Sequence, residues 1–135
     1  MGYALPAALG AKLAKPRRQV LAVCGDGAFQ MSLCELATVA ASHAPLKVVV
    51  FDNRRLGMVR EYQNSRYARR HIGTHMDGNP DFVALCQAYG IPAALAKNNR
   101  EAERLAKEML QLPGPMCWCA GWTRRPLGVK GEMLP

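Results

Sequence analysis

Apolar and polar positions follow two different periods along this chain, and the changes of period mark its elements. From Met1 to Lys15, Ala, Leu and Lys recur with Pro6 near the start, as in a helix with proline in its first turn. Ala7, Ala8, Gly10, Ala11 and Ala14 are small enough to pack tightly on a sheet, and Pro16 ends the segment. The apolar run Val20 to Cys24 predicts a strand; its composition predicts burial on both faces, as parallel strands usually show. After Gly25-Asp26-Gly27, the positions Phe29, Met31, Leu33, Leu36, Ala37, Val39 and Ala40 form a helical stripe. His43-Ala44-Pro45 closes that helix, with His43 a partner for its C-terminal dipole. Lys47 to Phe51 reads as a second strand and stops at Asp52-Asn53. Asn79-Pro80-Asp81 opens another helix, with Phe82, Val83, Leu85, Cys86 and Tyr89 on its apolar face and Gly90 as its stop. Ile91 to Ala96 predicts a short strand, and Arg100 to Leu112 a helix with Ala102, Leu105, Ala106, Met109 and Leu110 on one side. The order βαβαβα implies an α/β fold: a doubly wound, mostly parallel sheet flanked by helices.

Gln19 to Asn53 carries the chemistry. It reads as strand, glycine turn, helix, strand, the length of a βαβ unit of about 30 residues or more. In such a unit both strands end on the same sheet edge, where α/β folds bind ligands. Asp26 and Asn53 are therefore expected to be neighbours in space. Gly25 and Gly27 let the backbone bend and a bulky anion approach, and a helix starting after Gly27 aims free N–H groups at that anion. One carboxylate and one amide oxygen make a hard oxygen site suited to Mg²⁺ that shares its shell with phosphate. The residues thus point to a diphosphate bridged to a metal at a strand-end crevice.

Composition narrows the classes. The 135 residues are 50% hydrophobic, enough for one compact domain. No apolar run approaches the roughly 18 residues of a membrane span, and the basic residues follow the first apolar stretch instead of preceding it, unlike a signal peptide. Cys24, Cys34 and Cys86 lie in apolar patterns and read as reduced core residues, which favours a cytoplasmic setting. The formal charge of +8 invites a nucleic-acid reading. The cations are spread out apart from the clusters Lys15 to Arg18, Arg66 to His71 and Arg124-Arg125, and no nucleic-acid motif accompanies them, so neither nucleic acid nor membrane is expected as a partner.

The GDG turn with its spaced Asn53 resembles the thiamine diphosphate (TPP) motif of TPP-dependent decarboxylases and carboligases. The blocks MGYALPAALGAKLAKP, GDGAFQMSLCELATVA, NRRLGMVREYQ and NPDFVALCQAYG are similar to the C-terminal, pyrophosphate-binding domain of acetolactate synthase large subunits, over residues 1–115. The resemblance implies the thiamine diphosphate-binding fold and two cofactors, TPP and Mg²⁺. The metal is expected on Asp26, Asn53 and the backbone carbonyl of Arg55. Cofactor contacts are expected from Met1, Gly25, Gly27, Ala28, Leu56, Gly57 and Met58. Met58 reads either as a brace for the bent cofactor or as ordinary core packing. The activity implied is decarboxylation of pyruvate and its condensation with a second 2-oxo acid, in branched-chain amino acid biosynthesis. Another TPP-dependent carboligase or decarboxylase, or a catalytically incompetent fragment, is the alternative.

Family members build each active site with a pyrimidine-binding domain from a second catalytic subunit, and that domain holds the activating glutamate. Glu35 is accordingly read as a structural helix residue, no catalytic residue is expected in this chain, and the chain alone is expected to be inactive. A homo-oligomer, with a possible regulatory subunit, is implied. The glycine-rich loop that precedes MGY in the family is missing, so the domain at 1–115 is expected to be truncated at its N-terminus. Asp52 often matches asparagine in the family; on its own it reads as a turn-former. Tyr62 stands where biosynthetic relatives commonly carry tryptophan. Arg66 to His75 reads as a mobile basic loop at the site mouth, and Gly73 between His71 and His75 argues against a helical metal pair. Residues 116–135 depart from the family as a divergent tail in which Met116 to Trp118 can still form a strand.

Overall fold

The computed structural model describes residues 1–121. Within them, β1 (Leu21–Gly25), β2 (Lys47–Asp52), β3 (Ala93–Ala96) and β4 (Met116–Gly121) form one parallel sheet in the order β1-β2-β4-β3. The helices are α1 (Ala4–Ala14), α2 (Asp26–Gln30), α3 (Glu35–Ala41), α4 (Gly57–Arg66), α5 (Phe82–Ala88) and α6 (Asn99–Gln111). The doubly wound α/β reading therefore holds. No helix among the described residues is long and apolar enough to cross a membrane.

Strand alternation divides the core. Ala22, Cys24, Val48, Val50, Cys117 and Cys119 join Leu5, Leu9, Phe29, Leu36, Val39, Phe82 and Cys86 in the larger apolar cluster. Phe29 and Phe82 meet edge to face at 5.5 Å, the geometry favoured by ring quadrupoles. Val49, Met116, Trp118 and Ala120 pack instead with Ala96, Leu105 and Met109, which brings in α6. Burial, with the nearby Cys119 sulfur adding to it, pushes the Cys24 thiol up to about 12, so it stays a neutral core thiol; all five cysteines are free.

The expectation for β1 is corrected. Ala22 and Cys24 are buried, but Leu21 and Val23 are 47% and 52% exposed. β1 is an edge strand, and the apolar cluster under α6, which takes in Val49 of β2, includes no residue of β1. The helical stripe after Gly27 is likewise two short helices, α2 and α3. The first begins at Asp26 with Gly25 as its N-cap, two residues earlier than the sequence suggested. Helix α4 has no buried residue, so no apolar period announces it. At the other end, β4 continues three residues beyond Trp118 and lies between β2 and β3, with Met116 to Ala120 buried. The rest of the divergent tail, 122–135, with its Arg124-Arg125 cluster, lies outside the described residues.

Candidate functional site at the carboxyl edge of the sheet

Parallel register creates the site. Gly25 pairs with Phe51, and Phe51 with Ala120, so the turns after β1 and β2 emerge side by side. Asp26 is 1% exposed, at the first position of α2. At the end of β2, Asp52 Oδ1 accepts from Arg54 N (3.2 Å) and Asn53 Oδ1 from Arg55 N (3.0 Å). These are two successive side-chain turns of the kind Asp and Asn favour. They hold Arg54 in the left-handed region at φ 54°. The turn then pairs with residues 74–76: Leu56 N donates to Thr74 O and Met76 N to Arg54 O, each at 2.9 Å. The Arg55 carbonyl takes part in neither bond.

This ribbon covers Gly27. A Cβ on Gly27 would lie 2.5 Å from Leu56 Cδ2, 3.0 Å from Met76 Sδ and 3.5 Å from Met1 Cε. A larger residue there would have to push the ends of the Leu56 and Met76 side chains aside, and Met1 and Leu56, expected at the cofactor from the sequence, lie close to Gly27. Gly57 opens α4 next to Leu56, and Ala28 packs against the larger core cluster. Met58 is 83% exposed on α4, so it is not core packing.

Asn79 was missed. Its Nδ2 donates to Asp26 Oδ2 (2.7 Å) and to Asp52 Oδ1 (3.0 Å). In the sequence Asn79 announces only a helix start, and Asp81 does cap α5 by accepting from Val83 N and Ala84 N. Nothing local links it to an aspartate 53 residues away. Burial is the main cause that raises the Asp26 carboxyl above its usual range, and the neighbouring Asp52 adds to it; the Asn79 and Gly27 hydrogen bonds pull the other way.

The oxygens at this edge are carboxylate, amide and carbonyl, the hard donor set that Mg²⁺ prefers. Among the described residues no three His, Cys, Asp or Glu side chains gather as a metal cage. A cation here would therefore rely on mixed oxygens and leave room for a phosphate. The basic loop beyond α4 is tied back to the helix: Gln63 bonds both backbone groups of Ile72 (2.9 and 3.1 Å), and His71 meets Asn64 at 2.6 Å. His71 is kept below its usual range by partial desolvation and by Arg60, His75, Arg55 and Arg69 around it. His71 and His75 thus sit in an electropositive neighbourhood.

Comparison with known proteins gives the chain's family and bears out its fold. The chain is 42% identical over 117 residues to the acetolactate synthase large subunit of Porphyra purpurea, covering 86% of this chain and 20% of that protein. It is 42% identical over 115 residues to the acetolactate synthase isozyme 2 large subunit of Escherichia coli (strain K12), covering 85% of this chain and 21% of the relative. It thus spans about a fifth of the curated relatives it matches. Among solved structures it is similar to a Rhodococcus jostii RHA1 thiamine diphosphate-dependent 4-hydroxybenzoylformate decarboxylase. The TM-score is 0.83 at 26% identity, covering 93% of this chain and 24% of the other. Residues 1–118 match the family described as thiamine pyrophosphate enzyme, C-terminal TPP binding domain, and the chain belongs to that family.

Proposed function

We propose that this chain is the cofactor-binding domain of an acetolactate synthase catalytic subunit, which decarboxylates pyruvate and joins the remaining two carbons to a second 2-oxo acid. The observation that carries the reading is the buried Asp26 carboxylate at the end of β1, beside the Asp52-Asn53 turn at the end of β2. Asp26, Asn53 and the Arg55 carbonyl would hold Mg²⁺. Gly25, Gly27 and Ala28 would admit the diphosphate, and Met1, Leu56, Gly57 and Met58 would flank the rest of the cofactor. When bound, TPP supplies an electron sink; the protein positions it and excludes water. Met58, exposed at the start of α4, is free to meet a bound group. The cationic rim of Arg55, Arg60 and Arg69 around His71 suits an anionic 2-oxo acid.

In this reading the activating glutamate comes from a pyrimidine-binding domain on a second catalytic subunit, in a cytoplasmic homo-oligomer with or without a regulatory subunit. Support comes from the exposed Leu21, Val23 and Phe51, an apolar surface of the kind interfaces cover. The chain alone is then inactive on pyruvate. Calorimetric titration with TPP, with and without Mg²⁺, beside Asp26→Ala, tests the reading. Magnesium-dependent binding that the variant loses is the expected result; binding indifferent to Asp26 or to Mg²⁺ sinks it. A second reading, a domain of another TPP-dependent decarboxylase, is favoured only by the Rhodococcus structure, whose 26% identity falls well below the 42% of the acetolactate synthases.

A further inference from the structure

The basic cluster Lys15 to Arg18 plays no part in the cofactor reading. It lies between α1 and β1, at the amino edge of the sheet. A pocket of about 300 Å³ opens there between the loop before β1, the start of β2 and the loop after α6. Lys12, Arg17, Arg18 and Lys47 line it, and among the described residues no aspartate or glutamate does. Two of these cations are buried: Lys47 is 2% exposed and Lys12 6%. An ammonium has three N–H donors. Lys12 directs two at Pro16 O and Arg18 O, and Lys47 two at Leu112 O and Gly114 O. Each therefore keeps one donor without a partner among the described residues. Carbonyls carry only partial charge, so both formal charges persist. The Lys47 ammonium is lowered from its usual range, first by burial and then by Lys12, so the two cations feel each other.

The walls are tied in place. Arg18 N donates to Lys15 O and Gln19 Nε2 to Leu110 O, each at 2.9 Å. A cleft lined by one sign of charge concentrates the opposite ion. A single carboxylate brings one charge on two coplanar oxygens. A phosphate group brings about −1.5 to −2 at pH 7 on three acceptor oxygens. That is enough to take one N–H from each lysine and a guanidinium fork besides. Arg17 and Arg18 are exposed, and with Lys15 they also line a second hollow of about 420 Å³, which leaves room for an organic group attached to the phosphate. We infer that the amino edge carries a phosphate-binding pocket, formed by the spare N–H donors of Lys12 and Lys47 and the guanidinium groups of Arg17 and Arg18. It lies at the opposite end of the sheet from the GDG turn and does not depend on the cofactor reading. A phosphate there would tighten the loop closures that the two lysines already make.

The test titrates the full isotope-labelled chain with inorganic phosphate, with phenyl phosphate and with acetate, and follows backbone amide resonances at an ionic strength held constant with sodium chloride. Phosphate should shift the amides of Arg18, Gln19 and Gly114 saturably, and acetate should not. Arg17→Gln combined with Arg18→Gln should weaken phosphate binding about tenfold, the size expected for a lost charge-assisted hydrogen bond. Lys12→Met should weaken it as much; if that variant does not fold, the arginine pair decides. Phenyl phosphate that binds more tightly than inorganic phosphate points to a phosphate carried on an organic body, and the reverse order to the free ion; both orders sustain the pocket. Shifts confined to Gly25 and Gly27 place the anion at the carboxyl edge, and they overturn the inference while leaving the cofactor reading standing. Acetate that binds as tightly as phosphate, an arginine variant that binds like wild type, or no saturable shift at the amino edge also overturns it.

Discussion

The two ends of the same sheet bury charge in opposite ways. At the amino edge, Lys47 is 2% exposed and its Nζ donates to the carbonyls of Leu112 (2.7 Å) and Gly114. Nearby, Lys12 is also buried and donates to Pro16 O (2.9 Å) and Arg18 O (2.7 Å). Each cation closes a loop by gathering carbonyls that follow a helix, α1 for Lys12 and α6 for Lys47. At the carboxyl edge, Asp26 is as deeply buried but sits beside a second aspartate. The two are held by one amide, and the far end of that amide has no partner among the described residues. Buried polar groups normally find partners. An end whose charges are answered by the backbone serves the fold. The end with surplus acceptors is where the proposed cation would sit, and that is how a binding site would differ from a clamp.

The comparison can be broken by mutation. Lys47→Met removes the donor from two part-buried carbonyls and should destabilise the chain by about 2 kcal/mol, measured by urea unfolding, with Mn²⁺ affinity of the folded protein unchanged. A loss below about 1 kcal/mol would mean that the amino edge is no clamp. Asp26→Asn should do the reverse. It should raise cation-free stability, on the order of 1 kcal/mol, while removing Mn²⁺ binding, the usual trade between stability and function. A destabilised Asp26→Asn would show that the acids belong to the fold.

Titration sharpens the contrast. Asp26 is raised above 3.8, chiefly by burial, so between that value and its folded pKa the folded chain holds more protons than the unfolded one. Its contribution to stability should fall as pH rises through that window. Lys47 is lowered below 10.5, again chiefly by burial and then by Lys12, so in the window below 10.5 the unfolded chain holds more protons. Its contribution should rise with pH there. Unfolding measured against pH should lose its acid slope in Asp26→Asn and its alkaline slope in Lys47→Met; slopes that survive both variants contradict the assignment. The smallest effect is expected away from both ends. Asn98 caps α6 by accepting from Glu101 N (2.9 Å), while Glu101 accepts from Lys97 N (2.8 Å). Asn98→Ala should cost about 1 kcal/mol and leave both pH slopes intact, as thermal melts across the same pH range would show.

Much of this was legible before any coordinates. The unit from Val20 to Asn53 was readable because a strand, a glycine turn and a helical stripe each announce themselves over a few residues, and parallel pairing then obliges Asp26 and Asn53 to share an edge. The family followed from the same residues. Other features were not readable. Helix α4 carries no apolar stripe, and its loop is tied back by Gln63 and Asn64. β4 runs on through Cys119, Ala120 and Gly121, which by local pattern resemble a turn. β1 looked buried on both faces because hydrophobicity says that a side chain wants cover, not that this chain supplies it.

Asn79 marks the boundary most clearly. By itself the sequence determined the elements, the order of the fold and the pair Asp26 and Asn53, because hydrogen-bond patterns and side-chain periods are local. Only the tertiary structure decided that Asn79 reaches across 53 residues to both aspartates, and that Met76 and Leu56 close over Gly27. Those contacts depend on how separate loops pack once the sheet has formed, and no period along the chain encodes that meeting.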